Sequence, residues 1–330
     1  MHTSGGTVVT SPHPETPLIS IVTPFYNEGE GVEIFFRKMS QVLSDVPGYR
    51  FEIVCVDDGS RDNTLDKLLA AVQQYPAVKV IELSRNFGKE AALTAGIDAA
   101  CGDAVIPIDA DLQDPPELIR DFWTQFRQGA DVVYGVRRSR AGESWLKRFT
   151  AATFYRLIDR MSDTSIPRDT GDFRLMSRRA VDALKQLRER HRFMKGLFGW
   201  IGFKQVAVHY ERAPRAAGAS KFNFWKLWNF ALEGITSFST VPLRIATYLG
   251  LITALVAFVY GGIIIAKTLM YGEPVRGYPS LMSVVLFLGG VQLVALGIIG
   301  EYLGRMYGET KRRPLYLIGE TLRIAPRDGA

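Results

Sequence analysis

The sequence predicts an open α/β sheet with helices on both faces, followed by two apolar helices long enough to cross a membrane. Strand and helix patterns alternate from Leu18 to about Gly135, and each strand pattern ends in a cluster of polar residues. Near the C-terminus, two stretches of about 20 residues carry no formal charge, which at helical rise covers roughly the 30 Å of a bilayer core.

Leu18–Thr23 (LISIVT) is a continuous apolar, β-branched run closed by Pro24, the pattern of a strand buried on both faces. Glu33–Leu43 has helical apolar spacing. Phe51–Val56 (FEIVCV) reads as a second buried strand and stops at Asp57-Asp58-Gly59-Ser60. Asn63–Val72 predicts a helix, Val78–Leu83 a third strand, and the Ala-rich segment Glu90–Ala100 another helix. Ala104–Ile108 reads as a fourth strand, followed by acidic residues. Pro115–Phe126 predicts a helix with proline at its start, where proline is tolerated. Asp131–Tyr134 is the fifth strand. Such a rhythm builds a sheet covered by helices, and ligands on open α/β sheets bind beyond the carboxyl ends of the strands. Tyr26-Asn27-Glu28, Asp57-Asp58, Ser84-Arg85-Asn86 and Asp109 to Asp111 all fall at such ends.

Glu143–Met161 places Trp145, Phe149, Ala152 and Tyr155 at three-to-four-residue intervals among Lys147, Arg148, Arg156 and Arg160. That suits either a packing helix or a helix lying in a membrane interface. Lys221–Phe238 is similar, and its Trp225 and Trp228 beside Lys226 mark an interfacial anchor ahead of an apolar span. The apolar stretches are Ile245–Ala266 and Leu281–Gly300, so membrane helices are expected over about 245–267 and 281–304. Lys226 and Arg244 precede the pair and Lys311-Arg312-Arg313 follow it. The linker between them holds Arg276, with Lys267 at its edge. The positive-inside rule puts both ends in the cytoplasm.

Met1–Pro17 is rich in Ser, Thr, Gly and Pro and lacks the apolar core of a signal peptide. A disordered tail is expected over 1–17, with the globular domain over 18–219 in the cytoplasm. A juxtamembrane amphipathic helix over 220–243, the membrane pair over 244–306 and a cytoplasmic tail over 307–330 complete the expected organisation.

The 330 residues carry a formal net charge of +6. A solvated surface suffices to explain that excess, but the basic residues cluster beside the apolar stretches, which favours anionic headgroups or phosphate ligands. No nucleic-acid partner is expected. Cys55 and Cys101 lack CxxC spacing and are expected to be buried free thiols. His2, His13, His191 and His209 are scattered, which argues against a zinc site.

The strongest chemical motif is Asp109-Ala110-Asp111-Leu112-Gln113-Asp114-Pro115-Pro116, between a strand and a helix. Alternation at a strand end would direct Asp109 and Asp111 to a bound metal diphosphate, because a departing nucleoside diphosphate needs its charge stabilised. Mg²⁺ or Mn²⁺ prefers carboxylate and carbonyl oxygens, and Gln113 offers a carbonyl. An isolated DxD is ordinarily a capped turn; companion motifs at successive strand ends change that reading. Glu28 and Asp58 can accept hydrogen bonds from ribose or base, and Tyr26 can stack on a base. Ser84 to Lys89 precedes a helix start, where N–H groups and a cation suit phosphate.

The strings PFYNE, VDDGSRDNT, LSRNFGKEAAL, DADLQDPPE, VVYGVRRSRAGESWLKR, DTGDFRLMSRRA and SKFNFWKLWNF, leading into two membrane spans, resemble glycosyltransferase family 2 with its GT-A (Rossmann-like) fold. Within that family they resemble the polyprenyl-phosphate glycosyltransferases: bactoprenol (undecaprenyl-phosphate) glucosyltransferases of the GtrB type and dolichyl-phosphate mannose synthases. The match spans nearly all of Leu18 to about Gly319.

The resemblance implies a homo-oligomer, a tetramer, in a bacterial plasma membrane, moving a hexose (glucose from UDP-glucose) onto a polyprenyl phosphate. Pro24, Tyr26, Asn27, Glu28, Asp57, Asp58, Ser84, Lys89, Asp109, Ala110 and Asp111 would bind the nucleotide-sugar. Asp109, Asp111 and Gln113 would hold Mg²⁺ or Mn²⁺, and Asp172 would be the catalytic carboxylate on the acceptor side. Arg137, Arg148, Arg212, Ser220 and Lys221 would take the lipid phosphate, the last three on a loop closing over the diphosphate.

A phosphate monoester loses its second proton near pH 6 (roughly, as for phosphoserine). Asp172 therefore has little proton to remove and would repel the acceptor unless cations intervene; Arg137, Arg148, Arg168 and Arg174 are the candidates. Positioning the acceptor and these arginines is then as much its role as acting as a base. Three other readings stay open: a mannose synthase using GDP-mannose, a processive polysaccharide synthase, and a non-catalytic membrane scaffold with a nucleotide-binding fold. The second is disfavoured by the missing QxxRW motif, the third by the intact acidic strand ends.

Overall fold

The computed structural model describes residues 16–46, 48–137, 170–190, 192–210, 241–271 and 277–319. The tail before residue 16, the segment Glu143–Met161, the juxtamembrane segment 220–243 up to residue 240, and Arg148, Arg168, Arg212, Ser220 and Lys221 lie outside them.

The apolar runs form the expected strands: β1 (Leu18–Phe25), β2 (Arg50–Asp57), β3 (Val78–Glu82), β4 (Ala104–Pro107) and β5 (Val132–Arg137). The helices between them are α1 (Val32–Ser44), α2 (Thr64–Gln74), α3 (Lys89–Ala99) and α4 (Ile119–Arg127), the last preceded by a 3₁₀ turn at Pro116–Leu118. Sequence periodicity did not reveal the next four elements: β6 (Thr170–Ser177), α5 (Arg178–Gln186), α6 (Met194–Trp200) and β7 (Gln205–Tyr210). The described strands form one seven-stranded sheet ordered β3-β2-β1-β4-β6-β5-β7. β3, β2, β1 and β4 run parallel, whereas β6 lies antiparallel to both β4 and β5.

Side chains alternate across the sheet because the pleat has period two. Ile19, Ile21, Ile53 and Cys55 enter the core beneath α1, α2 and α4; Val22, Val54 and Val56 enter the second core against α3, α5 and α6. Both faces are covered, which is why β1 and β2 read as unbroken apolar runs. α3 seats closely, since a Cβ on Gly96 would lie 2.3 Å from Val22 Cγ1. Cys55 is buried as expected, but Cys101 is exposed, in the turn after α3 has ended at Ala99; leaving the helix so early takes its side chain off the core face.

α7 (Val241–Tyr271) and α8 (Tyr278–Thr310) have 31 and 33 residues. They contain two candidate membrane spans, Ile245–Ile263 and Phe287–Thr310. A long apolar helix in a soluble core would be buried; here Leu251, Phe258 and Leu269 are 66%, 84% and 83% exposed. After α8 the chain returns to the sheet domain. Ile318 bridges Leu83 beyond β3, Ser84 N donates to Leu317 O at 2.9 Å, and Gly319 N donates to Glu82 O at 2.9 Å.

Candidate active site

The parallel strands β1, β2, β3 and β4 deliver their polar ends to one edge of the sheet, around a cleft of about 290 Å³. Pro24 and Phe25 line it from the end of β1, Tyr26 and Glu28 from just beyond it, Asp58 from beyond β2, Asn86 and Gly88 from the loop before α3, Lys89 from the first position of α3, and Asp109, Ala110 and Asp111 from beyond β4. Phe25, Asn86 and Gly88 lie within the strand-end motifs but were not among the residues expected to bind the nucleotide-sugar. Asn27, Asp57 and Ser84 do not line the cleft. Asn27, at φ 52, receives Arg61 N on its Oδ1 at 2.8 Å, and Asp57 Oδ2 receives Ser60 N at 3.0 Å, so both shape turns behind the wall. Ser84 is held through its backbone by Leu317.

Asp58 binds the loop before α3 directly. Its two oxygens accept Phe87 N at 2.7 Å and Gly88 N at 3.0 Å. Burial pushes its carboxyl up, against those two N–H groups. Gly59, at φ 65, lets the turn pass under that loop, where a Cβ would meet Arg85 C at 2.5 Å. Tyr26, 42% exposed, stands on the rim with its ring open to a stacking partner.

β4 ends at Pro107, so Asp109 and Asp111 sit in the turn beyond it. Leu112 takes φ 50 there, an outlier for a residue with a branched side chain, and its N–H reaches Asp109 O at 3.3 Å. This turn, rather than strand alternation, orients the two carboxylates. Asp111 Oδ1 accepts Gln113 N at 3.1 Å.

Asp172 arrives from β6. The antiparallel register pairs Ala104 with Ser177 and Val105 with Met176, and continued along both strands it brings Asp172 opposite Asp109. Lys89, the first residue of α3, spans the gap: its Nζ lies 2.7 Å from Asp109 Oδ1 and 2.7 Å from Asp172 Oδ2. Burial works to raise the Asp172 carboxyl, but Lys89, with Lys195 and Arg174 behind it, holds it below the usual carboxylate range. Burial alone would lower the Lys89 ammonium, yet Asp172 and Asp109 hold it well above its ordinary value. Burial raises the Asp109 carboxyl; Lys89 opposes this, while Asp172 and Asp111 reinforce it.

Two neighbours of Asp172 gave no sequence signal. Burial, then the Asp172 charge, pushes Glu90 up to about 8, so it is protonated at neutral pH, and its Oε2 has no partner among the described residues. Lys195, on α6, is lowered by burial, with Asp172 opposing. Both are placed by packing of α3 and α6, which no local motif encodes.

The arginines divide. Arg174 is buried, donates to Gly171 O at 2.8 Å and stacks 3.7 Å above Phe198. Burial takes its pKa down to about 10. It braces the backbone beneath Asp172, which corrects the expectation that it could screen an acceptor phosphate. Arg137, at the end of β5, donates to Tyr210 Oη at 3.2 Å and Asp114 Oδ1 at 3.3 Å. Its Nη2 would lie 3.1 Å from a Cβ on Gly171, next to Asp172.

Among the described residues, Glu28, Asp58, Asp109 and Asp111 line the cleft against Lys89 as the single cation. A bare diphosphate would be repelled there. The donor set is all hard oxygen, and two carboxylates with open space suit Mg²⁺ or Mn²⁺, which commonly takes its remaining ligands from phosphate and water. Among the described residues no three His, Cys, Asp or Glu side chains form an all-protein cage.

Residues 20–185 match the model of glycosyl transferase family 2, and residues 241–306 match the GtrB C-terminal hairpin. The chain is 56% identical to an uncharacterized glycosyltransferase of Synechocystis, over 92% of this chain and 95% of that protein. It is 50% identical to the SfII prophage-derived bactoprenol glucosyl transferase of Shigella flexneri, over 93% of this chain and 99% of that one. It is also 50% identical to the prophage bactoprenol glucosyl transferase homolog of Escherichia coli, over 91% and 98%.

Proposed function

The chain belongs to glycosyl transferase family 2 and carries a GtrB-type C-terminal hairpin, and from that premise we propose that it transfers glucose from UDP-glucose to undecaprenyl or another polyprenyl phosphate. The observation that carries this reading is the Lys89 ammonium joining Asp109, on the strand-end side, to Asp172, on β6. It sets a nucleotide-sugar cleft beside a second polar surface where an acceptor phosphate can meet the anomeric carbon. The bactoprenol named for the relatives supplies the acceptor class.

In the proposed reaction an oxygen of the lipid phosphate attacks the anomeric carbon as the bond to the nucleoside diphosphate breaks. One in-line displacement inverts the anomeric configuration. Pro24, Tyr26 and Glu28 bind base and ribose, while Asp58 holds the Phe87–Gly88 amides in place for the donor. Asp109 and Asp111, with the Gln113 carbonyl, would hold Mg²⁺ or Mn²⁺, which when bound neutralises the departing diphosphate. Asp172 orients the acceptor through Lys89 and Lys195, whose charges offset its own. Arg137 stands beside Gly171 to receive the acceptor phosphate, assisted by Arg148, Arg212, Ser220 and Lys221. Holding the site at headgroup height lets a soluble donor and a membrane carrier react without lipid extraction, a proximity gain.

We further propose a homo-oligomer, a tetramer, with both termini cytoplasmic in a bacterial plasma membrane. Gly289, Gly290, Gly297 and Gly300 on α8 have open space where a side chain would stand, which permits close helix approach by another copy. Full activity of a detergent-purified monomer in light scattering would sink the oligomer.

The test is transfer from labelled UDP- and GDP-sugars into an organic-extractable lipid, with undecaprenyl phosphate and with or without Mg²⁺ or Mn²⁺. Metal-dependent transfer from UDP-glucose alone is the expected result. Labelling from GDP-mannose instead would make the protein a mannose synthase. No labelling, despite donor binding, would overturn the acceptor.

A further inference from the structure

A second polar cleft opens where α8 meets the sheet domain, and it shares no lining residue with the first. Arg188 and Arg190, from the chain after α5, face Arg312 and Arg313, from the chain after α8. Asp98 and Glu309 are the acidic residues among its walls. Asp98 is already committed: it accepts Arg188 Nη1 at 2.6 Å and Tyr316 Oη at 2.9 Å. Glu309 accepts the Arg190 backbone N–H at 2.7 Å, which ties α8 to the domain without neutralising a guanidinium.

Three arginines therefore remain without an ion pair among the described residues: Arg190, Arg312 and Arg313. Arg190 Nη1 is buried and has no hydrogen-bond partner among the described residues. A buried, unpartnered guanidinium nitrogen is costly, and an anion is what it lacks. Arg312 adopts φ 47, a conformation that glycine or asparagine normally supplies after a helix. An arginine there turns the chain out of α8 and brings its guanidinium to the same cleft.

With the candidate span Phe287–Thr310 seated in a bilayer, the lipid headgroups would meet this cleft. Leu303, Met306 and Tyr307 are 56%, 58% and 63% exposed, so the apolar surface of α8 runs to within a turn of Glu309. Lys311 Nζ sits 4.2 Å above the Tyr307 ring, pairing an interfacial aromatic with a cation. Leu315 adds an apolar wall to the cleft.

We infer that this cleft binds the phosphate of an anionic membrane phospholipid, at a site separate from that of the acceptor. The arginine forks match a phosphate bidentately. Occupancy secures the start of the segment whose Leu317 carbonyl holds Ser84 N, at the base of the donor loop.

The experiment is native mass spectrometry of the full chain in detergent, with phosphatidylglycerol or phosphatidylcholine of identical acyl chains, or inorganic phosphate. The expected result is phosphatidylglycerol retained where phosphatidylcholine is not, with retention falling about tenfold in both R190Q/R312Q and R190K/R312K, because lysine keeps the charge but loses the fork. Circular dichroism and UDP binding show whether each double variant is folded; where one is not, R313Q and R313K serve in its place. Equal retention of the two lipids, or wild-type retention in the glutamine variants, would overturn the inference. Wild-type retention in the lysine variants would reduce it to diffuse attraction, and displacement by inorganic phosphate would reassign the site to a soluble anion.

Discussion

Lys89 Nζ sits 2.7 Å from Asp172 Oδ2, joining the first residue of α3 to a strand 83 positions away in sequence. The contact exists because β6 enters the sheet antiparallel beside β4, so that its early residues reach the end where the parallel strands finish. Since the same ammonium holds Asp109, one side chain links the two halves of the site.

Replacing Lys89 by Gln should lower kcat about 10- to 100-fold, roughly 1.4 kcal/mol of barrier for each factor of ten. Loss of the ammonium removes the largest of the influences that hold the Asp172 carboxyl low, leaving Lys195 and Arg174. The acid limb of the kcat/KM profile should then move to higher pH. An unshifted limb would mean that Asp172 does not govern it.

Asp172→Asn keeps the shape and removes the charge. Transfer should fall about 10²- to 10⁴-fold, while UDP binding by calorimetry stays near wild type. Near-wild-type turnover would remove Asp172 from the chemistry. Asp109→Ala should do the reverse, abolishing metal-dependent UDP binding without disturbing membrane assembly.

Glu90 gives stability a pH dependence. Its folded pKa of about 8 lies above the ordinary value of 4.5, so the folded chain keeps a proton the unfolded chain has already lost. Its stabilising contribution is complete below 4.5 and is lost as pH rises through about 8. Melting temperature in detergent should decline across that window. Glu90→Gln should flatten the decline and leave the variant more stable than wild type above pH 8. A parallel decline in both proteins would show that other groups set it.

Gly59→Ala should loosen donor binding. At φ 65 an alanine costs about 1–2 kcal/mol, and its Cβ would press on Arg85 and Asn86 backbone atoms at 2.5 and 2.6 Å. The loop that Asp58 holds must then shift, so KM for the nucleotide-sugar should rise more than kcat falls. An unchanged KM would mean that this loop does not touch the donor.

Much of this arrangement was legible in one dimension. A strand buried on both faces has to be a continuous apolar run, so β1 through β4 stood out, and polar residues had to collect where those runs stopped. Their convergence on one cleft follows from parallel strands ending on the same edge. β6 was not legible in this way: Thr170-Gly171-Asp172-Phe173-Arg174 carries two charged residues within a buried strand and gives no apolar period.

The sequence by itself determined the alternating α/β domain, the acidic strand ends and the two apolar helices, because hydrophobic period and helix length are local properties of a chain. The tertiary structure decided what those residues do to one another. It turned Arg174 inward onto Phe198, protonated Glu90, gave Lys89 two carboxylates and gathered arginines from two distant segments into one cleft. Charge interactions and desolvation depend on distance and burial in three dimensions, and spacing along the chain carries neither.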